Sequence, residues 1–324
     1  MPTNLQTSEH MGLMELLADL VGNPVTDGLL RLPQTFGTGY IKRFRLDPHM
    51  DVMIHQYELT EDVRFVRKAI SAGNDWITFS FRNVLNNTGE YAGRYRAGLG
   101  KLLPSVQVSS GALNLDFFFP AQTQINTIII TVHVNVLVDL MKHQAGKPVL
   151  QTIFSGTQPY LYEAISSPSI QKIAVDLVAP NVPDSLHDFY LKIKAQELIC
   201  LFFVDLLSRQ DTVSYPINGV DIATMYQIRD KIIADLSVQP NLPHLAQYAG
   251  MSESKLKRLF KQIFGNSIYQ YYQRFRLNEA AYLLKEQKLS ITEAGLRLGF
   301  TNLSHFSRIF KEQFGRKPKQ YSMR

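Results

Sequence analysis

The sequence LKRLFKQIFG, from Leu256 to Gly265, returns fifty residues later as FSRIFKEQFG, from Phe306 to Gly315. Both copies carry apolar residues at their first, fourth, fifth and ninth positions, which is the spacing of one face of an α-helix. A glycine ends each copy, as is common after the last turn of a helix. The repeat therefore predicts two similar amphipathic helices.

A short helix and a glycine turn are predicted before each copy. The stretch NLPHLAQYAGMS, 241–252, begins with Asn241, a common N-cap residue. The stretch SITEAGLRLGFTN, 290–302, begins with Ser290 in the S-x-x-E spacing of a capping box. Each unit is thus typical of a helix-turn-helix, whose second helix enters the major groove of DNA.

Composition indicates a folded protein in a reducing compartment. With 324 residues, 45% hydrophobic and 19% charged, the chain is long enough for two domains. Its one cysteine, Cys200, can form neither an internal disulfide nor a CxxC metal site. Polar residues interrupt the most apolar stretch, 125–141, and the N-terminus lacks a secretory signal pattern. We therefore expect a cytoplasmic protein with no membrane segment.

Positive charge is concentrated at the C-terminal end. Residues 225–324 hold 17 of the 34 Lys and Arg but only 7 of the 28 Asp and Glu, a net charge of +10. The preceding 224 residues have a net charge of −4. On charge alone, a solvated basic surface and a polyanion-binding domain explain this equally well.

The N-terminal part predicts a β domain followed by helices. Alternation of apolar and polar residues predicts strands at 76–81, 105–108, 112–119 and 125–132. We interpret residues from about 35 to 155 as a small antiparallel barrel or sandwich. A helical segment follows from about 160 to 210, and its long helix at 186–209 has more apolar surface than one face needs. That surplus predicts either a partner helix or packing onto the β domain.

The chain thus divides into an N-terminal domain, 1–215, a linker, 216–224, and a DNA-binding domain, 225–324. The predicted fold class is a two-domain α+β protein with an all-α C-terminal domain.

The polar faces of the two repeated helices predict DNA contacts. Arg can bind guanine bidentately, Asn can bind adenine, and Leu can contact a thymine methyl group. The predicted base-facing residues are Ser254, Lys257 and Arg258 in the first unit and Asn302, Leu303, Ser304 and Arg308 in the second. The predicted phosphate contacts are Lys261, Lys311, Lys317 and Lys319. A solvated surface position is the alternative for any one of them.

The stretch GFTNLSHFSRIFKEQFGRKPKQY, 299–321, resembles the signature of AraC/XylS-type transcription regulators. The resemblance covers about 225–324 and includes NSIYQYYQRFRLNEAAYLLKE, 266–286, as a joining helix. It implies two recognition helices that enter successive major grooves on one face of DNA, with the base-facing positions given above. Gly295 stands where that family more often has Ala, which implies either a looser second unit or closer packing within it.

The same resemblance implies a cupin-like sensing and dimerisation domain in the N-terminal part, with the helix at 186–209 at the dimer interface. We therefore expect a sequence-specific transcription regulator that binds double-stranded DNA, forms a homodimer, contacts RNA polymerase and responds to a small-molecule effector. The alternative is an effector-independent regulator whose N-terminal domain only dimerises.

No catalytic or metal-binding pattern is evident, so we expect no enzyme activity, no cofactor and no metal. The scattered histidines His49, His55, His133 and His143 lack the clustering that a metal site needs. The G-x-S-x-G and P-loop patterns are absent. An enzyme fused to a DNA-binding domain, as in some repair proteins, would need a reactive cysteine, whereas Cys200 lies in an apolar stretch.

Overall fold

The computed structural model describes residues 3–6, 13–68, 75–84, 103–141, 148–155, 159–209, 215 and 217–322. They belong to two compact units, of which the first ends at Ile222 and the second continues from Ala223. The strands lie in the first unit and the second is helical, which confirms the α+β organisation. No helix in the described ranges is long and apolar enough to cross a membrane.

The strands of the first unit form two sheets. The larger sheet has the order β10-β7-β6-β9-β4-β3-β2, and every neighbouring pair is antiparallel. Its strands are β2 (Leu29–Arg31), β3 (Gly37–Asp47), β4 (Met50–Leu59), β6 (Trp76–Arg82), β7 (Ser105–Ser110), β9 (Gln124–His133) and β10 (Leu161–Ile165). The smaller sheet has β5 (Val63–Arg67) between β1 (Thr3–Gln6) and β8 (Leu115–Phe119), with β1 parallel to β5.

Helices cover one face of the larger sheet. They are α2 (Val134–Leu140), α3 (Pro148–Ser155), α4 (Pro168–Val178) and α5 (His187–Leu207). The predicted inward residues Ile77, Phe79 and Phe81 are buried in this core, which confirms their alternation. The Phe79 ring centroid lies 5.5 Å from that of Phe202 and 5.9 Å from that of Phe203, both on α5. Much of the apolar surface of α5 therefore packs onto the β domain.

The smaller sheet and helix α1 (Leu13–Val21) pack against the same larger sheet through a second apolar core. Met14 and Leu17 of α1, Ile41 of β3 and Tyr57 of β4 are buried there. The ring centroids of Tyr57 and Phe119, one from each sheet, lie 6.4 Å apart. The two sheets therefore share a core.

Two elements differ from the sequence-based prediction. Strand β10 lies within the segment predicted to be helical, and it pairs with β7 at the edge of the larger sheet. Helix α6 begins at Gly219, so residues 219–224 of the predicted linker are helical. The reason is local, because Asn218 Oδ1 accepts a hydrogen bond of 2.7 Å from the Asp221 amide and caps the helix. Residue 216 lies outside the described residues, and the domain boundaries stay a prediction.

The second unit is built around a long central helix. Its helices are α6 (Gly219–Ala234), whose first four residues still belong to the first unit, α7 (Leu242–Tyr248), α8 (Glu253–Phe264), α9 (Ile268–Lys285), α10 (Ile291–Arg297), α11 (Leu303–Phe314) and α12 (Pro318–Ser322). Helix α9 is the predicted joining helix. Its Tyr271 contacts α8, whereas Leu277 and Leu284 share a core with Phe306 and Phe310 of α11. The joining helix therefore contributes to the cores of both helix-turn-helix units.

Candidate nucleic-acid interface

Side chains cap the first turn of all four helices in the two helix-turn-helix units. Asn241 and Ser252 accept hydrogen bonds from the third residue of α7 and of α8, respectively. Asn302 does the same at α11. At α10, Ser290 and Glu293 form the predicted capping box, with hydrogen bonds of 3.2 and 2.9 Å. These caps define the start of each helix without tertiary contacts.

The recognition helices α8 and α11 have the same length and the same end. Gly265 and Gly315 follow them with φ of 70° and 71°, the left-handed region that favours glycine. The preceding turns differ, because four residues separate α7 from α8 and five separate α10 from α11. The second turn is therefore one residue longer.

An aromatic cluster recurs behind each recognition helix. In the first helix-turn-helix unit, the centroid of the Phe260 ring lies 4.6 Å from that of Phe264 and 5.4 Å from that of Tyr271. Fifty residues later, the Phe310 ring lies 4.6 Å from that of Phe314 and 5.5 Å from that of Tyr321. The repeat in the sequence is thus a repeat in three dimensions, and each cluster packs the apolar side of its helix.

The opposite side of α8 is polar and accessible. Ser254, Lys257 and Arg258 are exposed, and Lys261 is half-buried. Lys257 Nζ lies 3.1 Å from the carboxylate of Glu253, one turn earlier on the same helix. The structure thus brings the four sequence-predicted residues of the first unit to one side of α8.

The second helix-turn-helix unit repeats this polar, accessible helix face on α11, with two changes. Ser304, Arg308 and Lys311 are exposed on α11, and Arg308 Nη1 lies 3.5 Å from Glu312. Asn302 is exposed, but its Oδ1 accepts a hydrogen bond of 2.9 Å from the His305 amide. A bidentate contact with adenine needs that same oxygen as an acceptor, so the capping bond would have to be shared. The predicted phosphate contacts Lys317, just before α12, and Lys319, on α12, are also exposed.

Leu303 is half-buried, and this is the second change. A Cβ atom built on Gly295 would lie 2.6 Å from Leu303 Cδ2. Gly295 therefore makes room for Leu303, which favours closer packing over a looser second unit. Part of the Leu303 side chain is used to hold α10 against α11.

Sequence reasoning missed Arg276, a buried arginine on α9. Its Nε donates a hydrogen bond of 2.7 Å to the carbonyl of Leu298 at the end of α10, and its guanidinium lies 3.6 Å from the Phe300 ring centroid. Burial lowers the pKa of this guanidinium, and the nearby Tyr272 opposes that shift. Arginine in an amphipathic helix suggests an exposed residue, so only its position one turn after buried Tyr272 could have indicated otherwise.

The exposed cations can exchange their present partners for DNA. Ion pairs between residues four apart on a helix surface are worth only about 0.3–0.5 kcal/mol. Lys257 and Arg308 can therefore leave Glu253 and Glu312 at little cost. Two equivalent helix faces, each with an arginine at its middle, could donate hydrogen bonds to base edges and phosphates in two grooves.

In the described part of the chain, no three His, Cys, Asp or Glu residues form a group that could hold a metal ion. The rings of His49 and His133 lie 5.5 Å apart. His55 is buried elsewhere, beside Tyr57. His143 lies outside the described residues.

Comparison with known proteins finds a matching family model and related regulators. Residues 245–324 match a family model described as a helix-turn-helix domain. The HTH-type transcriptional regulator GbdR of Pseudomonas aeruginosa is 32% identical over 115 residues, which are 35% of this chain and 31% of that protein. The regulatory protein PchR of the same species is 28% identical over 137 residues, 42% of this chain and 46% of that protein. This chain therefore matches less than half of the length of both relatives.

Among solved structures, one from Chromobacterium violaceum is described as a transcriptional regulator and as one of the proteins that contain an AraC-type DNA-binding domain. It is 30% identical, covers 33% of this chain and 95% of its own, and has a TM-score of 0.31.

Proposed function

We propose that this chain, whose C-terminal domain is of the AraC/XylS type, is a sequence-specific DNA-binding transcription regulator. The family resemblance found in the sequence is confirmed by the matched helix-turn-helix model and by the related regulators. Both relatives are named as regulators rather than as enzymes. The observation that carries the proposal is the exposure of two equivalent basic faces, on α8 and α11, in a repeat of fifty residues.

In this proposal the two recognition helices divide the contacts between bases and backbone. Arg258 and Arg308 read base edges, assisted by Ser254, Lys257 and Ser304. The lysines Lys261, Lys311, Lys317 and Lys319 bind phosphates and contribute affinity without sequence preference. Asn302 and Leu303 read bases only with the part of each side chain that capping and packing leave accessible.

The N-terminal domain would supply control and dimerisation. Two facing sheets that share a core are compatible with a cupin-like sensing domain. Exposed apolar side chains on α5 support a homodimer through that helix. An effector that prefers one state of the domain would shift how the DNA-binding units are held, and RNA polymerase would be the partner at the promoter. In the effector-independent alternative, the N-terminal domain forms the dimer but binds no effector.

Selection from a random duplex library tests the DNA-binding proposal with the full chain. The enriched duplexes should contain two short blocks about one helical turn, or 10–10.5 bp, apart. Arg308→Ala should relax the preference at one or two positions of one block, at a cost of about 1–3 kcal/mol in discrimination. Arg258→Ala should relax the other block.

Lys311→Ala should weaken selected and scrambled duplexes equally and reduce the salt slope of log K by about 1. Lys285→Ala, which removes an exposed lysine from the last turn of α9, is the charge-matched control and should change neither quantity. An equal loss on both duplexes for Arg308→Ala would refute its base-reading role, and a library without enriched sequences would refute sequence-specific binding.

A further inference from the structure

The two helix-turn-helix units carry equivalent glycines that differ in their surroundings. Gly250 and Gly299 each follow the first helix of their unit, and both have a left-handed φ, of 61° and 73°. Among the described residues, a Cβ atom built on Gly250 would meet no atom within 4 Å beyond its chain neighbours. A Cβ atom built on Gly299 would lie 2.1 Å from the carbonyl oxygen of Ser237. The turn of the second helix-turn-helix unit is therefore packed closely against backbone from another part of the chain.

Ser237 belongs to the connection between α6 and α7, which precedes the first helix-turn-helix unit. There, Asp235 Oδ1 accepts hydrogen bonds from the Ser237 hydroxyl at 2.6 Å and from the Ser237 amide at 2.8 Å. The same hydrogen bonds hold the pKa of the Asp235 carboxyl below its usual range. An Asp side chain that binds the backbone two residues later stabilises a turn. We call residues 235–238 the bridging turn.

The residue between these two attaches the bridging turn to the joining helix and to the second helix-turn-helix unit. The Leu236 carbonyl accepts a hydrogen bond of 3.0 Å from the hydroxyl of Tyr272, a buried residue of α9. The Leu236 side chain packs against the apolar core that contains Phe300 and Phe306. Main chain and side chain of one residue thus make two different contacts.

The contacts form a closed triangle of three segments. Tyr272 joins α9 to the bridging turn. Arg276, one helical turn later, joins α9 to the carbonyl of Leu298 in the turn of the second helix-turn-helix unit. Gly299, the next residue, meets the bridging turn. Each segment is therefore held by the other two.

The bridging turn is also connected to the first helix-turn-helix unit. It follows α6, where the Tyr226 ring meets the ring of Phe264 on α8 edge to face, with the centroids 5.5 Å apart. On the same helix, Lys231 Nζ lies 4.0 Å from the ring centroid of Tyr248 on α7. The two helix-turn-helix units are thus joined by two routes, α9 and the bridging turn. A second route resists the bending and twisting that a single joining helix would allow.

We infer that the bridging turn fixes the orientation of α11 relative to α8 and thereby sets the spacing between the two DNA blocks that the protein accepts. Leu236, Tyr272 and Gly299 are positioning residues in this inference, because they act through the recognition helices. One extra base pair moves the second block by about 3.4 Å and rotates it by about 35°. Two rigidly joined units cannot follow that change, whereas two loosely joined units can. The inference rests on the proposed function for its consequence in DNA recognition.

Binding to duplexes of altered spacing tests the inference with the full chain. The duplexes are a selected sequence and two versions of it, with one base pair inserted or removed between the blocks. Wild type should bind both altered duplexes at least about tenfold more weakly than the selected one. Gly299→Ala, whose added Cβ displaces the bridging turn, should reduce this difference to about threefold or less. A loss of stability alone would weaken all three duplexes equally.

Gly250→Ala is the matched control, because it adds the same methyl group to a left-handed glycine in open space. It carries the same backbone strain, about 1–2 kcal/mol, and should keep the spacing preference of wild type. If Gly299→Ala does not fold, Leu236→Ala replaces it, with Val238→Ala as its control, since Val238 is 63% exposed on the same turn. The inference is overturned if test and control variants lose the preference equally, or if the test variant keeps it.

A distance measurement without DNA separates this inference from the proposed function. Spin labels at Gln247→Cys on α7 and Thr292→Cys on α10, both exposed positions, are introduced in a Cys200→Ser background. The labelled chain is diluted with unlabelled chain, so that only distances within one chain are measured. The distance distribution should be at least about twice as wide with Gly299→Ala as with Gly250→Ala or with neither substitution.

Equal widths in all three proteins overturn the inference. A wider distribution together with a relaxed spacing preference supports both the bridging turn and the proposed function. If no duplex is enriched by selection, the DNA-binding proposal fails, while the widths still decide whether the bridging turn fixes the two helix-turn-helix units.

Discussion

At the residue scale, the second helix-turn-helix unit depends on one absent methyl group. Gly295 takes the place that Ala246 has in the first unit, and Leu303 takes the place of Glu253. Glycine inside a helix costs about 1 kcal/mol relative to alanine. That cost is offset by the contact between Leu303 and α10, because a Cβ at residue 295 would lie 2.6 Å from Leu303 Cδ2 and would force the Leu303 side chain to shift.

A double-mutant cycle measures this coupling. Gly295→Ala in the Leu303→Ala background should stabilise the protein by about 1 kcal/mol, because the helix gains propensity without a clash. In the wild-type background the gain should be lost, which gives a coupling free energy of about 1 kcal/mol. Equilibrium urea unfolding of the four proteins supplies the values. Equal gains in both backgrounds would contradict the close packing of α10 on α11.

His55 provides a pH-dependent stability at the same scale. Burial lowers its pKa from 6.5 to about 4, because the charged imidazolium would lose its hydration. The unfolded chain therefore binds more protons than the folded chain between pH 6.5 and 4, and stability falls as pH falls through that window. The expected loss is about 3 kcal/mol.

The comparison of wild type with His55→Phe isolates this contribution, because both proteins share the same carboxylates. The stability of wild type should fall relative to that of the variant as pH is lowered from 7 to 4.5, as measured by urea unfolding at each pH. Parallel stability profiles of the two proteins would show that His55 does not have a depressed pKa.

At the element scale, the joining helix α9 is attached to the second helix-turn-helix unit through the charged side chain of Arg276. Arg276 donates to the carbonyl of Leu298, which otherwise ends α10 with an unsatisfied acceptor, and it stacks on Phe300. The hydrogen bond thus attaches the turn of the second unit to the joining helix.

Arg276→Met should destabilise the C-terminal domain by about 1–3 kcal/mol, because a buried carbonyl loses its donor. Urea unfolding checks the value, and Lys285→Met, at an exposed position of the same helix, should remain within about 0.5 kcal/mol of wild type. If the two substitutions have equal effects, the buried contact does not stabilise the unit.

Elements whose signals are local could be predicted from the sequence. Helices α8 and α11 carry their apolar stripe, N-cap and terminal glycine within some fifteen residues. Strand β10 has no such signal, because Leu161–Ile165 becomes a strand through pairing with β7, about fifty residues earlier in the chain. The role of Arg276 and the packing of Leu303 depend likewise on contacts across the fold. The polar faces of α8 and α11 were therefore predictable from the sequence. The structural roles of Asn302 as a helix cap and of Leu303 as a packing residue, which compete with their predicted base contacts, were not.

At the scale of the whole molecule, helix α5 carries an apolar stripe away from the β domain. Phe189, Ile193 and Val204 are 65%, 45% and 59% exposed, and Cys200 lies between them on the same side. Large apolar side chains in a stripe on an exposed helix face indicate a protein interface. A second copy of the chain, joined through this stripe, would bring two DNA-binding domains to one site.

Sedimentation of the full chain should therefore show a dimer at micromolar concentration. Ile193→Lys, which buries a charge in the interface, should raise the dimer dissociation constant at least tenfold, or about 1.4 kcal/mol. Leu140→Lys is the control, because Leu140 is 57% exposed on α2 and outside the stripe. A monomer at all concentrations, or equal effects of both lysines, would refute dimerisation through α5.

The chain has one tryptophan, and it belongs to the N-terminal compact unit. Trp76 begins β6, where its ring meets His133 edge to face with the centroids 5.5 Å apart. Indole emission from this protein is therefore a spectroscopic signal of the N-terminal unit alone, whereas amide ellipticity is collected from both units. Comparison of the two signals during one denaturation would reveal, without an added label, whether the halves unfold together or in sequence.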